Sequence, residues 1–182
     1  MLSSLATCFG VGRAPIAPGT AGSLVAILVA AALLQLEFGW LLLMGATLLV
    51  TLLGIVASNH YMAQHQSSHD PKQIVIDEVA GQWLTLCVWF GWLIGMTGSR
   101  EAAFELLHTV SADPLSLAMG FLLFRLFDIL KPWPISLADR RVKGGFGVMF
   151  DDLLAGLFAG TFLYAIYVVW PLLTGELAEH TV

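Results

Sequence analysis

Long apolar runs alternate with short polar segments along the whole chain. A helix needs about 20 predominantly apolar residues to cross a bilayer core of roughly 30 Å. Five runs come near that length: Thr20–Leu36, Trp40–Ala57, Val79–Met96, Pro114–Leu130 and Leu153–Leu173. Several of them are short, which is typical of tilted, interfacial or partly re-entrant helices. The pattern predicts an all-α fold, a polytopic membrane helical bundle with about five hydrophobic helices and polar loops.

The composition supports a membrane protein. The chain has 182 residues, of which 58% are hydrophobic and 12% charged, and its mean hydropathy is +0.83. Soluble domains average about 25% charged residues, so a soluble class is excluded. We expect one integral-membrane domain over residues 1–182, with no nucleic-acid partner and no cleaved signal peptide. Cys8 and Cys87 lie far apart and are interpreted as packing residues.

The basic residues are distributed unevenly between the two ends of the predicted bundle. With five spans, residues 1–19, 58–78 and 131–152 share one side of the membrane. That side carries six basic residues: Arg13, Lys72, Lys131, Arg140, Arg141 and Lys143. Arg100 is predicted on the other side, and Arg125 falls within a span. Because cytoplasmic loops are enriched in lysine and arginine, we expect the N-terminus and the polar motifs to face the cytoplasm.

Two segments, IVIDEVAGQW (74–83) and VMFDDLLAGLF (148–158), place adjacent acids where a polar loop meets an apolar helix. Each acidic pair is followed within about one turn by Ala-Gly. One interpretation is capping, in which Asp77 and Asp151 satisfy backbone N–H groups and the acids suit the helix dipole. The other is that the small residues let the two helices approach closely, which brings both acidic pairs together.

The segment RLFDILKPWPI (125–135) places charges at the end of an apolar run. Arg125, Asp128 and Lys131 are spaced three apart, so they share one face of a helix. A charge deep in the membrane costs on the order of 3 kcal/mol on insertion scales. The stripe is therefore either a self-neutralising Arg125–Asp128 pair that fixes helix packing or the lining of a wet cleft at the cytoplasmic interface.

These motifs meet at one depth and predict a metal site. They contribute up to five carboxylates: Asp77, Glu78, Asp128, Asp151 and Asp152. Such a group is self-repelling unless it is protonated or bridged by a cation, and oxygen-only ligands favour Mg²⁺. Neighbouring residues on a helix point in different directions, so not all five can be ligands. Carboxylates, metal and flanking arginine and lysine together are typical of a phosphate site.

Two glycine-containing loops complete the predicted site. PIAPGTAGS (15–23) is interpreted either as an anion-binding helix start with Thr20 and Ser23 or as a rigid turn with a Thr20 cap. VKGGFGVMF (142–150) is predicted to be a mobile basic loop over the acids, with Lys143 and the preceding Arg140 near the substrate. Among the histidines, the pair His69-Asp70 is kept as a secondary candidate.

Four segments together resemble the phosphatidylglycerophosphatase A family: FGVGRAPIAPGTAGS, HDPKQIVIDEVAGQW, FRLFDILKPWPI and DRRVKGGFGVMFDDLLAG. They run from Phe9 to Gly156 and keep the order of the family motifs. The resemblance implies Mg²⁺-dependent hydrolysis of phosphatidylglycerol phosphate to phosphatidylglycerol and inorganic phosphate in a bacterial inner membrane. Its motif positions cover the five acids, Asp139 and the substrate residues Arg125, Lys131, Arg140, Thr20 and Ser23. Lys143 is assigned from its charge and place.

Other functions are less consistent with the pattern but remain open. A transporter also uses buried Arg–Asp pairs, although here the polar residues cluster at one face instead of crossing the membrane. A lipid phosphotransferase of the CDP-alcohol type carries a spaced acidic signature that is not present as a block, and a scaffold would not require five converging acids. For the phosphatase, we expect direct attack by water, with an aspartyl-phosphate as the alternative. The sequence does not fix the oligomeric state.

Overall fold

The computed structural model describes residues 1–66, 71–97 and 99–174. Every regular element in this part of the chain is helical, which confirms the predicted all-α fold. The α-helices are α1 (Leu2–Ala6), α2 (Pro18–Leu34), α3 (Gly39–Gln64), α4 (Ile76–Met96), α5 (Arg100–Ala112), α6 (Pro114–Leu130), α7 (Ile135–Arg141) and α8 (Gly144–Thr174). A short 3-10 helix, Cys8–Arg13, joins α1 to the loop before α2.

Three of these helices, α3, α4 and α8, are long and apolar enough to cross a membrane. A fourth crossing is formed if α5 and α6 act as one span, although they meet at an angle of 78°. The predicted first span is the shorter apolar helix α2. Large apolar side chains such as Leu28, Leu48 and Phe162 are more than half exposed, as expected of surfaces that face lipid. The prediction of a polytopic membrane bundle is confirmed.

Helix α4 is the central element. In its apolar window 61% of the residues are buried inside the protein, against 28% in α3 and in α8. Helices α4 and α8 cross closely at glycines: a Cβ added to Gly156 would lie 2.3 Å from the carbonyl oxygen of Gly81, and one added to Gly160 would lie 2.4 Å from that of Thr85. Small residues therefore set the approach of the two acid-bearing helices, as the Ala-Gly pattern predicts.

The start of α8 differs from the sequence prediction. Residues 144–150 were expected to form a mobile loop, but they are the first turns of α8. Asn59 of α3 stabilises this start, because its side-chain Oδ1 accepts a hydrogen bond of 2.7 Å from the backbone N–H of Gly145. Gly145 also packs so tightly that an added Cβ would lie 2.1 Å from the carbonyl oxygen of Ile55. The sequence prediction failed because this contact with α3 is not visible in local glycine content.

Candidate functional site

The helix ends bring the acidic motifs together at one end of the bundle. Asp77 and Glu78 lie in the first turn of α4, and Asp151 and Asp152 lie in the third turn of α8. Asp128 lies in the last turn of α6. The N-cap residue of α4 is Val75, and no side-chain cap hydrogen bond is formed there. Capping therefore does not explain Asp77 or Asp151, and the interpretation in which the acids converge is the one that the fold supports.

Three of the five acids form a tight cluster. One carboxylate oxygen from each of Asp77, Glu78 and Asp152 lies within 4.8 Å of the others. Asp77 and Asp152 are each only 4% exposed, and the Glu78 side chain is 14% exposed. Asp77 Oδ1, Glu78 Oε2 and Asp152 Oδ2 are buried and have no hydrogen-bond partner among the described residues. We call these three residues the acid cluster.

The acid cluster fits a hard divalent cation. A buried carboxylate oxygen without a partner costs free energy, and three carboxylates at close range also repel one another. A cation removes both penalties, and Mg²⁺ is bound in proteins by carboxylates together with water and substrate oxygens. Asp77, Glu78 and Asp152 are the residues that would hold it.

Asp128 lies beside the acid cluster but is occupied by an ion pair. Arg125 Nη1 lies 2.6 Å from Asp128 Oδ2 and 4.0 Å from Glu78 Oε1. It also donates a hydrogen bond of 3.3 Å to Ser23 Oγ, and that hydroxyl donates to the carbonyl oxygen of Gly19 at 3.0 Å. The Arg125 side chain is only 14% exposed, and its Nε has no partner among the described residues. Arg125 thus connects α6 to the starts of α2 and α4.

Asp151 is also paired, with a different cation. Lys131 Nζ donates hydrogen bonds to Asp151 Oδ2 and, at 2.7 Å, to Asp139 Oδ1. Burial by itself would lower the pKa of Lys131, but the hydrogen bonds to the two aspartates and their negative charges together outweigh it, and the pKa is raised. The Lys131 hydrogen bond lowers the pKa of Asp139. Lys131 therefore joins α6, α7 and α8 as a cation, and its partner Asp139 is a family motif position to which the sequence assigned no role.

The start of α2 packs directly against the acid cluster. A Cβ added to Gly19 would lie 2.0 Å from Glu78 Oε1 and 3.4 Å from Arg125 Nη1. Ser23 is fully buried, one turn further along. Thr20 lies within the first turn of α2 and is not its cap, because the N-cap position is Ala17, in a left-handed conformation with φ 47°. Of the two interpretations of this loop, a Thr20 cap is excluded.

The predicted contacts of the basic loop are less direct. Arg140 and Lys143 are both exposed, and Arg140 Nε donates to the carbonyl oxygen of Ser136 at 2.9 Å. Neither forms an ion pair with the acid cluster in the described part of the chain. Their charges border the site from α7 and the start of α8. The secondary candidate His69-Asp70 lies outside the described residues.

Two features of the site were not predicted from the sequence. Gly19 was placed in an anion-binding loop, but its direct contact with Glu78 depends on how α2 packs against α4. Gln82 is completely buried, with an exposed fraction of 0%. Neither of its amide atoms has a hydrogen-bond partner among the described residues. The signal was present in IVIDEVAGQW, where Gln82 follows Glu78 by four residues and therefore shares its helix face.

Comparison with known proteins assigns the family. Residues 4–167 match the family described as Phosphatidylglycerophosphatase A. The chain is 36% identical over 168 residues to phosphatidylglycerophosphatase A of Escherichia coli (strain K12), covering 92% of this chain and 84% of that protein. It is 33% identical over 170 residues to the protein of the same name from Haemophilus influenzae, covering 89% and 86%.

A third relative carries a different name. The chain is 35% identical over 164 residues to a Bacteroides thetaiotaomicron protein provisionally named phosphatidylinositol-3-phosphatase, covering 85% of this chain and 86% of that protein. No solved structure matches the chain. The family match covers the acid cluster, Arg125 and Lys131, which are the residues that the fold brings to one end of the bundle. The chain belongs to the phosphatidylglycerophosphatase A family.

Proposed function

We propose that this protein is a lipid phosphatase that hydrolyses phosphatidylglycerol phosphate to phosphatidylglycerol and inorganic phosphate. The observation that carries the proposal is the acid cluster of Asp77, Glu78 and Asp152 beside the Arg125 guanidinium, at one end of a membrane bundle. A phosphomonoester on a lipid headgroup lies at the membrane surface, which is where such a site can reach it. Family membership supports the same substrate class.

The acid cluster would hold Mg²⁺. When bound, the cation supplies charge neutralisation for the phosphoryl oxygens as negative charge develops on them. Asp128 and Asp151, which the sequence also suggested as ligands, are instead paired with Arg125 and Lys131. We therefore propose that Asp128 and Asp151 hold the side chains of Arg125 and Lys131 in position. This gives three acids the ligand role and two a positioning role.

Arg125 is the residue best placed to bind the phosphate. Its Nη1 is shared among Asp128, Ser23 and the more distant Glu78. Its Nε has no partner among the described residues, so Arg125 has a donor to offer. Arginine presents a planar set of donors that matches phosphate oxygens. Arg140 and Lys143, both exposed, attract the anionic headgroup at longer range.

The reaction is a direct displacement by water. The oxygen of water forms a bond to phosphorus, and the bond from phosphorus to the glycerol oxygen breaks, with its electron pair remaining on that oxygen. One proton of the water passes through a carboxylate of the site to the glycerol oxygen, and the other stays on the phosphate. The carboxylate acts as the proton carrier and is regenerated in each turnover.

The site faces the cytoplasm of a bacterial inner membrane in this proposal. The basic residues Arg13, Lys72, Arg140, Arg141 and Lys143 are all exposed, and they lie in the segments around the acid cluster. Enrichment of basic residues at one end is typical of the cytoplasmic side. Cysteine labelling from either side of sealed inverted vesicles would test the orientation, with Lys72→Cys expected to react from the cytoplasmic side only.

The function is tested with purified protein in detergent. Phosphate release from phosphatidylglycerol phosphate is expected with Mg²⁺ and not with EDTA, and Asp152→Asn is expected to abolish it. Glu37→Gln, an exposed acid between α2 and α3, is the matched control and should retain the wild-type rate. Wild-type protein that releases no phosphate from this lipid would refute the proposal. Phosphatidylinositol 3-phosphate, assayed in parallel, tests the alternative headgroup. Acid-stable radiolabel on the protein after incubation with labelled lipid would indicate an aspartyl-phosphate intermediate instead of direct attack by water.

A further inference from the structure

Gln82 carries a side-chain amide that is buried inside the protein. Its exposed fraction is 0%, and neither Nε2 nor Oε1 has a hydrogen-bond partner among the described residues. Buried amides are normally satisfied, because leaving donor and acceptor unpaired costs about 1–3 kcal/mol for each group. The next two polar side chains along α4, Trp83 and Thr85, follow this rule. Trp83 Nε1 donates to the carbonyl oxygen of Ala26 at 2.8 Å, and Thr85 Oγ1 donates to that of Gly81 at 3.0 Å.

The position of Gln82 places it at the inner end of the acid cluster. It lies four residues after Glu78 on α4, which puts both side chains on one face with Gln82 about 6 Å further from the start of the helix. The residue before it, Gly81, is in contact with the same helix turn as Asp152, since an added Cβ would lie 2.6 Å from the Asp152 carbonyl oxygen. Gln82 therefore lies between the acid cluster and the apolar core.

The acid cluster, Arg125 and Gln82 together carry several buried atoms that have no hydrogen-bond partner among the described residues. They are Glu78 Oε2, Asp77 Oδ1 and Asp152 Oδ2, which accept hydrogen bonds, Arg125 Nε, which donates, and the Gln82 amide, which does both. A phosphate oxygen accepts hydrogen bonds and can satisfy only the donors. Water both donates and accepts, and buried waters typically make about three hydrogen bonds to otherwise unsatisfied groups. Water is therefore the partner that suits both ends of the amide.

We propose that Gln82 positions the attacking water molecule at the inner end of the acid cluster. Its Oε1 accepts a hydrogen bond from the water and its Nε2 donates to a carboxylate oxygen of the cluster or to a second water. The lipid phosphate reaches the cluster from the headgroup side, so its glycerol oxygen points away from Gln82. An in-line displacement then requires the water on the opposite, inner side, where Gln82 lies. The inference rests on the proposed phosphatase activity.

The test substitutes Gln82→Met, which removes the amide and keeps the side-chain length. We expect kcat to fall about 100-fold, as is typical when a reacting group loses its alignment, while KM stays within about threefold. Binding of Mn²⁺, followed by electron paramagnetic resonance, should also stay within about threefold, because Gln82 is not a metal ligand in this proposal. The unfolding temperature should stay close to the wild-type value, because methionine matches glutamine in length and Gln82 has no hydrogen-bond partner among the described residues.

The control is Thr85→Val, which removes a satisfied hydroxyl from a fully buried position on the same helix and should leave kcat unchanged. Gln82→Asn, which keeps the amide but retracts it by one methylene, should lower kcat in the same way and serves if Gln82→Met does not fold. Wild-type kcat in either folded variant would overturn the proposal, as would a parallel loss of Mn²⁺ binding. Failure of the wild-type enzyme to act on the lipid would instead refute the proposed function.

Discussion

Arg125 Nη1 lies 2.6 Å from Asp128 Oδ2, so the arginine and the aspartate that the sequence places three apart form a direct ion pair at the end of α6. Arg125 also contacts residues outside this ion pair. The same nitrogen donates to Ser23 Oγ and lies 4.0 Å from Glu78 Oε1. The two interpretations of this stripe, packing and site lining, are thus compatible: the pair fixes helix packing and also places a guanidinium beside the acid cluster.

Arg125→Lys is expected to reduce kcat/KM by about 100-fold or more, although the charge is kept. Lysine offers a point charge and cannot hold Asp128, Ser23 and a phosphate oxygen with one planar group. Arg141→Lys, an exposed position on α7, is the control and should be neutral. Steady-state kinetics on phosphatidylglycerol phosphate measure both. Full activity of Arg125→Lys would mean that only the charge matters.

Asp152→Asn should stabilise the metal-free protein while it abolishes activity. Removing one charge from three carboxylates within 4.8 Å of one another relieves repulsion, so the unfolding free energy in EDTA is expected to rise by about 1–2 kcal/mol. Addition of Mg²⁺ should raise the unfolding temperature of the wild-type protein and not that of the variant. Thermal unfolding with and without Mg²⁺ measures this. Equal stabilisation of both proteins by Mg²⁺ would place the metal elsewhere.

The sequence predicts the helices of this protein better than the arrangement of its charges. Hydropathy identifies the apolar helices because the membrane imposes their length and composition. The convergence of Asp77 and Asp152 was predicted from the Ala-Gly repeats, which set the distance between α4 and α8. Hydropathy and the Ala-Gly motifs can both be read from short stretches of sequence, and the packing confirms both predictions.

The sequence suggested the Arg125–Asp128 pair as one of two interpretations, but it did not predict the Lys131–Asp151 pair or which three acids form the cluster. Five carboxylates were equivalent candidates, but Asp128 pairs with Arg125 and Asp151 pairs with Lys131, which leaves three in the cluster. These choices depend on the rotation of α6 and α8 about their axes. The helical start of α8 was also missed because it depends on a tertiary contact, the hydrogen bond that Asn59 of α3 accepts from Gly145.

Gly19→Ala is expected to lower activity without unfolding the protein. The new Cβ would lie 2.0 Å from Glu78 Oε1, so the carboxylate must move out of the cluster, and a displacement of about 1 Å typically costs about 100-fold in rate. A carboxylate is the flexible end of a side chain, so the fold should tolerate the change. Gly45→Ala on α3 meets nothing within 4 Å and is the matched control. Equal activity of the two variants would show that Glu78 can move freely.

Lys131→Met should destabilise the protein over a wide pH range, because it leaves Asp151 buried and unpaired. The raised pKa of Lys131 keeps its contribution intact through neutral pH and loses it only as pH rises through that value. The lowered pKa of Asp139 means that its contribution is present above the ordinary aspartate range and is lost as pH falls through the lowered value. The part of the stability difference that depends on the Lys131 charge is therefore expected to persist through neutral pH and to fall only above about pH 10.

Chemical unfolding at several pH values measures that difference. The Lys131→Met/Asp139→Asn double variant serves as the control for the exposed arm of the contact, because Asp139 is 45% exposed and its pair should contribute little. Most of the lost stability should remain in the double variant, since Asp151 is still unpaired there. Recovery of wild-type stability would assign the effect to Asp139 instead of Asp151.

The Cys8 thiol should react slowly with maleimide while the protein is folded. Burial, with smaller contributions from the negative charges of Asp77 and Glu78, raises its pKa to about 12. The thiolate is the reactive form, so a rise from 9.0 lowers its population at neutral pH by roughly a thousandfold. Asp77→Asn should increase the labelling rate only a few-fold, because burial is the larger cause, whereas denaturant should restore the rate of a free thiol. Labelling followed by mass spectrometry in a Cys87→Ala background measures the rate at Cys8 alone. Rapid labelling of the folded protein would contradict the burial of this thiol beside the acid cluster.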